Sequence, residues 1–183
     1  ADHDFQSSNR FAFKSGDLVQ ELSLVYARRA LLASLVVMGM GFSVLFPVLA
    51  PLGREMGLSE IQITSVIAAS SITMFIGTPI WGRISDRWGR KRVMLIGLFG
   101  FTIGTVLFNS VLYAGLSGVL SGWALFGALV AARMTHAAMM SATMPSSSAY
   151  MADITDPANR TKGMGAAGAA NNFGSIIGPA IAG

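Results

Sequence analysis

Arg133 and His136 lie three residues apart, which places both side chains on one face of an α-helix. Between Arg92 and Asp153, Arg133 is the only charged residue. An ionisable group at the depth of an apolar span is costly, and it marks a functional position by default. Arg133 is twenty residues short of Asp153, too deep for its head to reach the interface with ease. Histidine takes up or releases a proton near neutral pH, so His136 is a candidate proton carrier. The plainer alternative is a neutral imidazole held by hydrogen bonds. Met140 and Met144 continue the stripe, as adaptable apolar lining or as ordinary packing. Asn171 and Asn172 add two polar groups at mid-depth of a later apolar segment. They either face a central cavity or bond across helices.

A second cluster occupies residues 82–92, where five basic residues and one acid fall within eleven positions. Asp86 stands among Arg83, Arg87, Arg90, Lys91 and Arg92, so it is expected to be ionised and paired. Gly82 and Gly89 permit tight turning and close helix approach. A third pattern lies at the end of the chain. Ala166, Ala170, Gly174, Gly178 and Ala182 recur every four residues, a ladder of small side chains that lets another helix come close. Pro179 removes the amide that the carbonyl of Ser175 would otherwise bond.

These groups are positioned by apolar segments. A bilayer-spanning helix needs about 20 apolar residues. Charge-free runs cover residues 30–53 and 61–82, and a 40-residue run over 93–132 suits two helices joined near residues 114–121. Spans are expected at about 30–52, 61–81, 93–113, 122–152 and 163–183, the fourth long and bent near Pro145. Residues 1–27 read as a polar cytoplasmic tail with a short helix near residues 18–26, and residues 28–183 as the membrane domain. Eleven of the 13 Lys and Arg residues fall on one side of this arrangement. Arg54 alone is on the other and Arg133 is inside a span, so the N-terminus is cytoplasmic. Five of the six prolines lie in or at the ends of spans, where membrane helices tolerate them.

Composition narrows the classes. The chain is 52% hydrophobic and 12% charged, with mean hydropathy +0.58. A soluble domain carries about 25% charged residues. The net charge of +4 comes from short loops between apolar runs, which argues against nucleic acid as a partner. There is no cysteine, hence no disulfide framework. No metal-ligand spacing and no catalytic constellation appear, and Asp2-His3-Asp4 reads as a disordered polar terminus. No cofactor is expected. All nine carboxylates lie in the tail, in loops or at helix ends. If a proton is carried through the membrane, its carrier is therefore His136 or a group outside this sequence.

The pattern Gly82-x-x-x-Asp86-Arg87-x-Gly89-Arg90-Lys91 between a second and a third span resembles the loop signature of the major facilitator superfamily. Ile84 stands where leucine is commonest. Arg133 with His136 and Ala137 partly matches that family's Arg-x-x-Gln-Gly pattern. Gly165, Gly174, Gly178, Pro179 and Gly183 resemble its antiporter signature, with Ala182 in place of the first of two closing glycines. The resemblance implies an all-α, polytopic bundle of which this chain is an N-terminal fragment of about five transmembrane helices, in a fold of two halves that rock around a midplane site. It implies a conformational latch at Gly82, Asp86, Arg87, Gly89, Arg90 and Lys91 with Asp153, and a transport path past Arg133, His136, Asn171 and Asn172. It also implies a helix-packing seam at Gly165, Gly174, Gly178, Pro179 and Gly183. The activity implied is secondary transport, not enzymatic, as proton-coupled efflux of small amphipathic compounds or drugs across a bacterial inner membrane. The partners implied are a small-molecule substrate, protons, the lipid bilayer and the C-terminal half of the transporter. A sugar or organic-acid symporter and a non-transporting receptor or scaffold are the alternatives.

Overall fold

The computed structural model describes the backbone of residues 2–182 and the side chains of residues 21–181 except Phe46. Gly183 and the side chains of the Asp2-His3-Asp4 terminus lie outside the described residues. Among the described residues there are five α-helices: α1 (Asp2–Glu55), α2 (Glu60–Trp88), α3 (Arg90–Leu116), α4 (Gly122–Asp153) and α5 (Arg160–Ala182). A short 3-10 turn, Pro157–Asn159, leads into α5. No strand occurs among the described residues.

The helix ends follow from local chemistry. Ser59 caps α2 in a reciprocal box: the Gln62 amide donates to the Ser59 hydroxyl, and the Ser59 amide donates to the Gln62 side chain at 2.9 Å. Arg54 donates from Nε to Glu60 at 2.6 Å across the α1–α2 turn. That hydrogen bond, with the charge of Glu60, holds the exposed guanidinium pKa above its ordinary value. The α3–α4 turn falls at residues 117–121, within the connection expected from sequence.

Two expectations are corrected. The helix expected near residues 18–26 is longer than that, because α1 starts at Asp2 and runs unbroken into the first span. No proline precedes Pro47, so nothing in the backbone forbids helix there. Nor is residues 82–92 a loop. Helix α2 continues to Trp88, α3 begins at Arg90, and Gly89 alone connects them. Its φ of +93° is a conformation open mainly to glycine. The charge-rich stretches 82–88 and 90–92 extend both helices beyond the apolar runs, so charge by itself does not end a helix here.

Helical stretches Glu21–Glu55, Glu60–Trp88 and Arg90–Leu116 are long and apolar enough to cross a bilayer. The 32-residue α4 is also long enough, but it carries Arg133 and His136. The outer surface is apolar: Phe75 is 82% exposed and Phe99 70%, with Ile72, Ile103 and Val106 beside them in character. The interior holds Arg133, His136, Ser141, Thr143, Ser146 and Ser147. An apolar outer surface around an interior that also encloses polar groups fits a lipid solvent.

Helix α4 packs most extensively on α3 and then on α2, while α1 packs on α5. One apolar layer gathers Leu45, Leu49, Val66, Phe108 and Leu125 toward the α1–α2 turn. A second gathers Leu31, Leu35, Met94 and Met151 toward the cytoplasmic end. Between them sit Met38, Phe101 and Met140.

Candidate functional site

The central cluster is built where α4 crosses α3. Helix α3 turns Gly97, Gly100 and Gly104 toward α4, and a side chain at any of them would strike Thr143, Met139 or His136. That closeness buries the α4 face completely. Arg133 is 2% exposed and His136 0%. Arg133 Nη1 lies 3.1 Å from His136 Nδ1, and His136 Nε2 lies 3.2 Å from Thr105 Oγ1. The Thr105 hydroxyl also lies 2.8 Å from the carbonyl of Phe101. The Phe101 ring covers the imidazole at 4.7 Å between centroids. The Arg133 guanidinium sits 5.5 Å from the Phe42 ring of α1 and 5.7 Å from the Phe108 ring of α3, within cation–π range. Ring faces and a neutral acceptor thus help to hold the charge.

The cytoplasmic cluster turns on one residue. Arg90 Nη1 donates to Asp153 Oδ1 at 2.7 Å and to the carbonyl of Ala149 at 3.0 Å. Its Nη2 lies 3.8 Å from Asp86 Oδ1. Helix α3 opens with Arg90, Lys91 and Arg92, basic residues at the end where the dipole favours anions. Helix α4 closes with Asp153, an acid at the end where it favours cations. Arg90 offsets both by reaching from one helix start to the other helix end. Arg87 and Lys91 are exposed. Gly82 meets nothing where a Cβ would stand, so the close helix approach expected of it does not occur here.

The α1–α5 seam is the tightest contact. A Cβ on Gly174 would strike the Val36 carbonyl, one on Gly178 the Met40 carbonyl, and one on Gly39 the Asn171 carbonyl. Gly165, by contrast, is exposed over open space. Pro179 is half-buried within α5. The Ser175 hydroxyl lies 3.0 Å from the Asn171 carbonyl and 3.4 Å from that of Gly39. Asn171 lies in this seam with its side-chain oxygen buried and unbonded, while Asn172 is exposed. Arg133 and His136 therefore meet each other, Asn171 lies against Gly39 of α1, and Asn172 is on the surface.

The Major Facilitator Superfamily model matches residues 31–183. The chain belongs to the Major Facilitator Superfamily. Multidrug resistance proteins 1 and 2 of Bacillus subtilis (strain 168) are each 33% identical to it, over 153 and 158 residues, 84% of this chain in both cases. A triacylglyceride transporter of Mycobacterium tuberculosis (strain ATCC 25618 / H37Rv) is 32% identical over 118 residues, 64% of the chain. The matched regions cover 36%, 35% and 21% of those relatives, so this chain spans about a third of the length of the first two. As a superfamily member it is an all-α, multi-pass integral membrane protein.

Within this superfamily fold, sequence reasoning missed Phe42, Phe101, Thr105 and Phe108 around the central arginine. A signal existed. Gly97, Phe101, Gly104 and Phe108 recur at helical spacing and form one face of α3. Gly39, the α1 partner of the α5 ladder, was missed as well. Only the fold shows which of many glycines has a backbone opposite it.

Proposed function

We propose that this chain belongs to a secondary active transporter that exports small amphipathic compounds in exchange for protons across a bacterial plasma membrane. The observation that carries the reading is Arg133, buried at membrane depth between two aromatic rings in a chain of this superfamily. A buried cation is expensive, and retaining one inside a span is understandable if the site handles a polar substrate group or a charge. The resemblance to two multidrug resistance proteins favours drug-like amphiphiles. The glycine seam between α1 and α5 is consistent with the antiporter signature, closing a path against leak. The Arg90–Asp153 joint, with Asp86 beside it, supplies the cytoplasmic latch. It is exposed enough to part when the two halves of a complete transporter rock.

A second reading, export of an apolar lipid, has the mycobacterial relative in its favour. One experiment addresses both. The full-length protein is reconstituted in proteoliposomes, and proton release is followed on adding either an amphipathic dye or a triacylglyceride. Dye-dependent release that vanishes in Arg133→Ala, with the fold checked by circular dichroism, is the expected result. Release driven by the lipid alone selects the second reading. Absence of flux with either substrate overturns transport and leaves a receptor or scaffold.

A further inference from the structure

The bonds around His136 fix where its hydrogen sits. The Phe101 carbonyl can only accept, so the Thr105 hydroxyl at 2.8 Å donates to it. A hydroxyl has one hydrogen to give. Thr105 Oγ1 must therefore accept at its other contact, and His136 Nε2, 3.2 Å away, is the donor. At the far side of the ring, a guanidinium can only donate. His136 Nδ1, 3.1 Å from Arg133 Nη1, is therefore the bare nitrogen. Two independent contacts specify the same neutral tautomer, with hydrogen on Nε2. The three bonds run in one direction, from Arg133 through His136 and Thr105 to the backbone of α3.

We propose that Thr105 is a positioning residue that, together with Arg133, fixes the His136 tautomer, and that His136 in turn aims Arg133 as a fixed acceptor and does not carry the transported proton. The groups facing the ring include Phe101, Gly104 and Thr105 of α3 and Arg133 of its own helix. A hydrogen added at Nδ1 would set donor against donor at Arg133. Gly104 makes the arrangement possible, because a side chain there would press on the His136 Cα and Cβ and push the ring away from Thr105. The aromatic faces of Phe42 and Phe108 then hold the guanidinium that Nδ1 has aimed. Glutamine, which also offers Arg133 an acceptor oxygen, should substitute for histidine.

The effect on transport rests on the transporter reading; the tautomer does not. The first test is nitrogen-15 magnetic resonance of histidine-labelled protein in lipid nanodiscs at neutral pH, with the His136 signals assigned by their loss in His136→Gln. The expected spectrum shows a bare Nδ1 and a protonated Nε2. Thr105→Val, of similar shape but without an acceptor, is expected to move the Nε2 signal away from its hydrogen-bonded position while Nδ1, still facing Arg133, stays bare, and Thr105→Ser to restore it. A protonated Nδ1, or a Thr105→Val spectrum identical to the parent, overturns the proposal. In the full-length transporter, Thr105→Val is expected to raise KM about 2- to 10-fold, the worth of one hydrogen bond. Thr105→Ser should recover it, and His136→Gln should keep the parent pH profile. Loss of that pH dependence in His136→Gln would make His136 the proton carrier and overturn the assignment. If no variant or parent transports, the spectra still decide the tautomer.

Discussion

Arg133 and Arg90 both tie α4 to α3, one in the interior and one at the cytoplasmic end. Arg133 is enclosed by Phe42 and Phe108 and donates to a neutral imidazole. Arg90 is partly open to solvent and donates to the carboxylate of Asp153, itself about half exposed. Two glycines repeat the contrast. Gly174 lies against the Val36 backbone of α1, whereas nothing stands near a Cβ built on Gly82. The interior is thus held by closest approach and by buried groups out of reach of water. The end is held by charges that water can also satisfy.

The contrast is most easily broken at the α1–α5 seam. Gly174→Val sets a branched side chain against a carbonyl that belongs to a helix and cannot swing aside. It is expected to cost about 2–3 kcal/mol, the upper part of the usual overpacking range. Reversible unfolding in bicelles measures it, and a cost near zero would show the seam to be loose. At the opposite end, Arg90→Ala removes two exposed ion pairs and a contact to the α4 carbonyls. The expected loss is about 1 kcal/mol, shrinking as salt is raised. A salt-independent loss would place that joint with the interior. Gly82→Ala should have the smallest effect and the opposite sign. With open space around the Cβ and a helical backbone, it is expected to raise the thermal midpoint slightly, through a gain of up to about 1 kcal/mol in helix propensity.

The same contrast separates what the sequence could disclose from what it could not. Helix number and the turn near residues 117–121 depend on local composition, and local composition showed them. The identity of Gly89 as the whole α2–α3 connection was hidden, because the charges of residues 82–92 look like loop residues although their backbone continues two helices. Gly165 and Gly174 are the same residue in the same repeat, yet only Gly174 meets α1. Asn171 and Asn172 are neighbours in sequence, yet one is enclosed in the seam and the other exposed. Arg87 and Arg90 were equal candidates to reach Asp153. The direction in which α3 leaves Gly89 gives the contact to Arg90. Each of these differences is set by the helix opposite, which a single segment does not encode.

Double-mutant cycles on the two arginines measure the contrast directly. Arg133→Ala, His136→Ala and their combination form one cycle, and Arg90→Ala, Asp153→Ala and their combination form the other, all read by unfolding free energy at low and high salt. The expected coupling is about 1.5–3 kcal/mol for the buried pair, as for a hydrogen bond from a charged donor, and unchanged by salt. For the cytoplasmic pair it is about 0.2–1 kcal/mol and falls as salt rises. A cytoplasmic coupling that equals or exceeds the buried one, or a buried coupling that salt abolishes, would contradict the division into a fixed interior and an openable end.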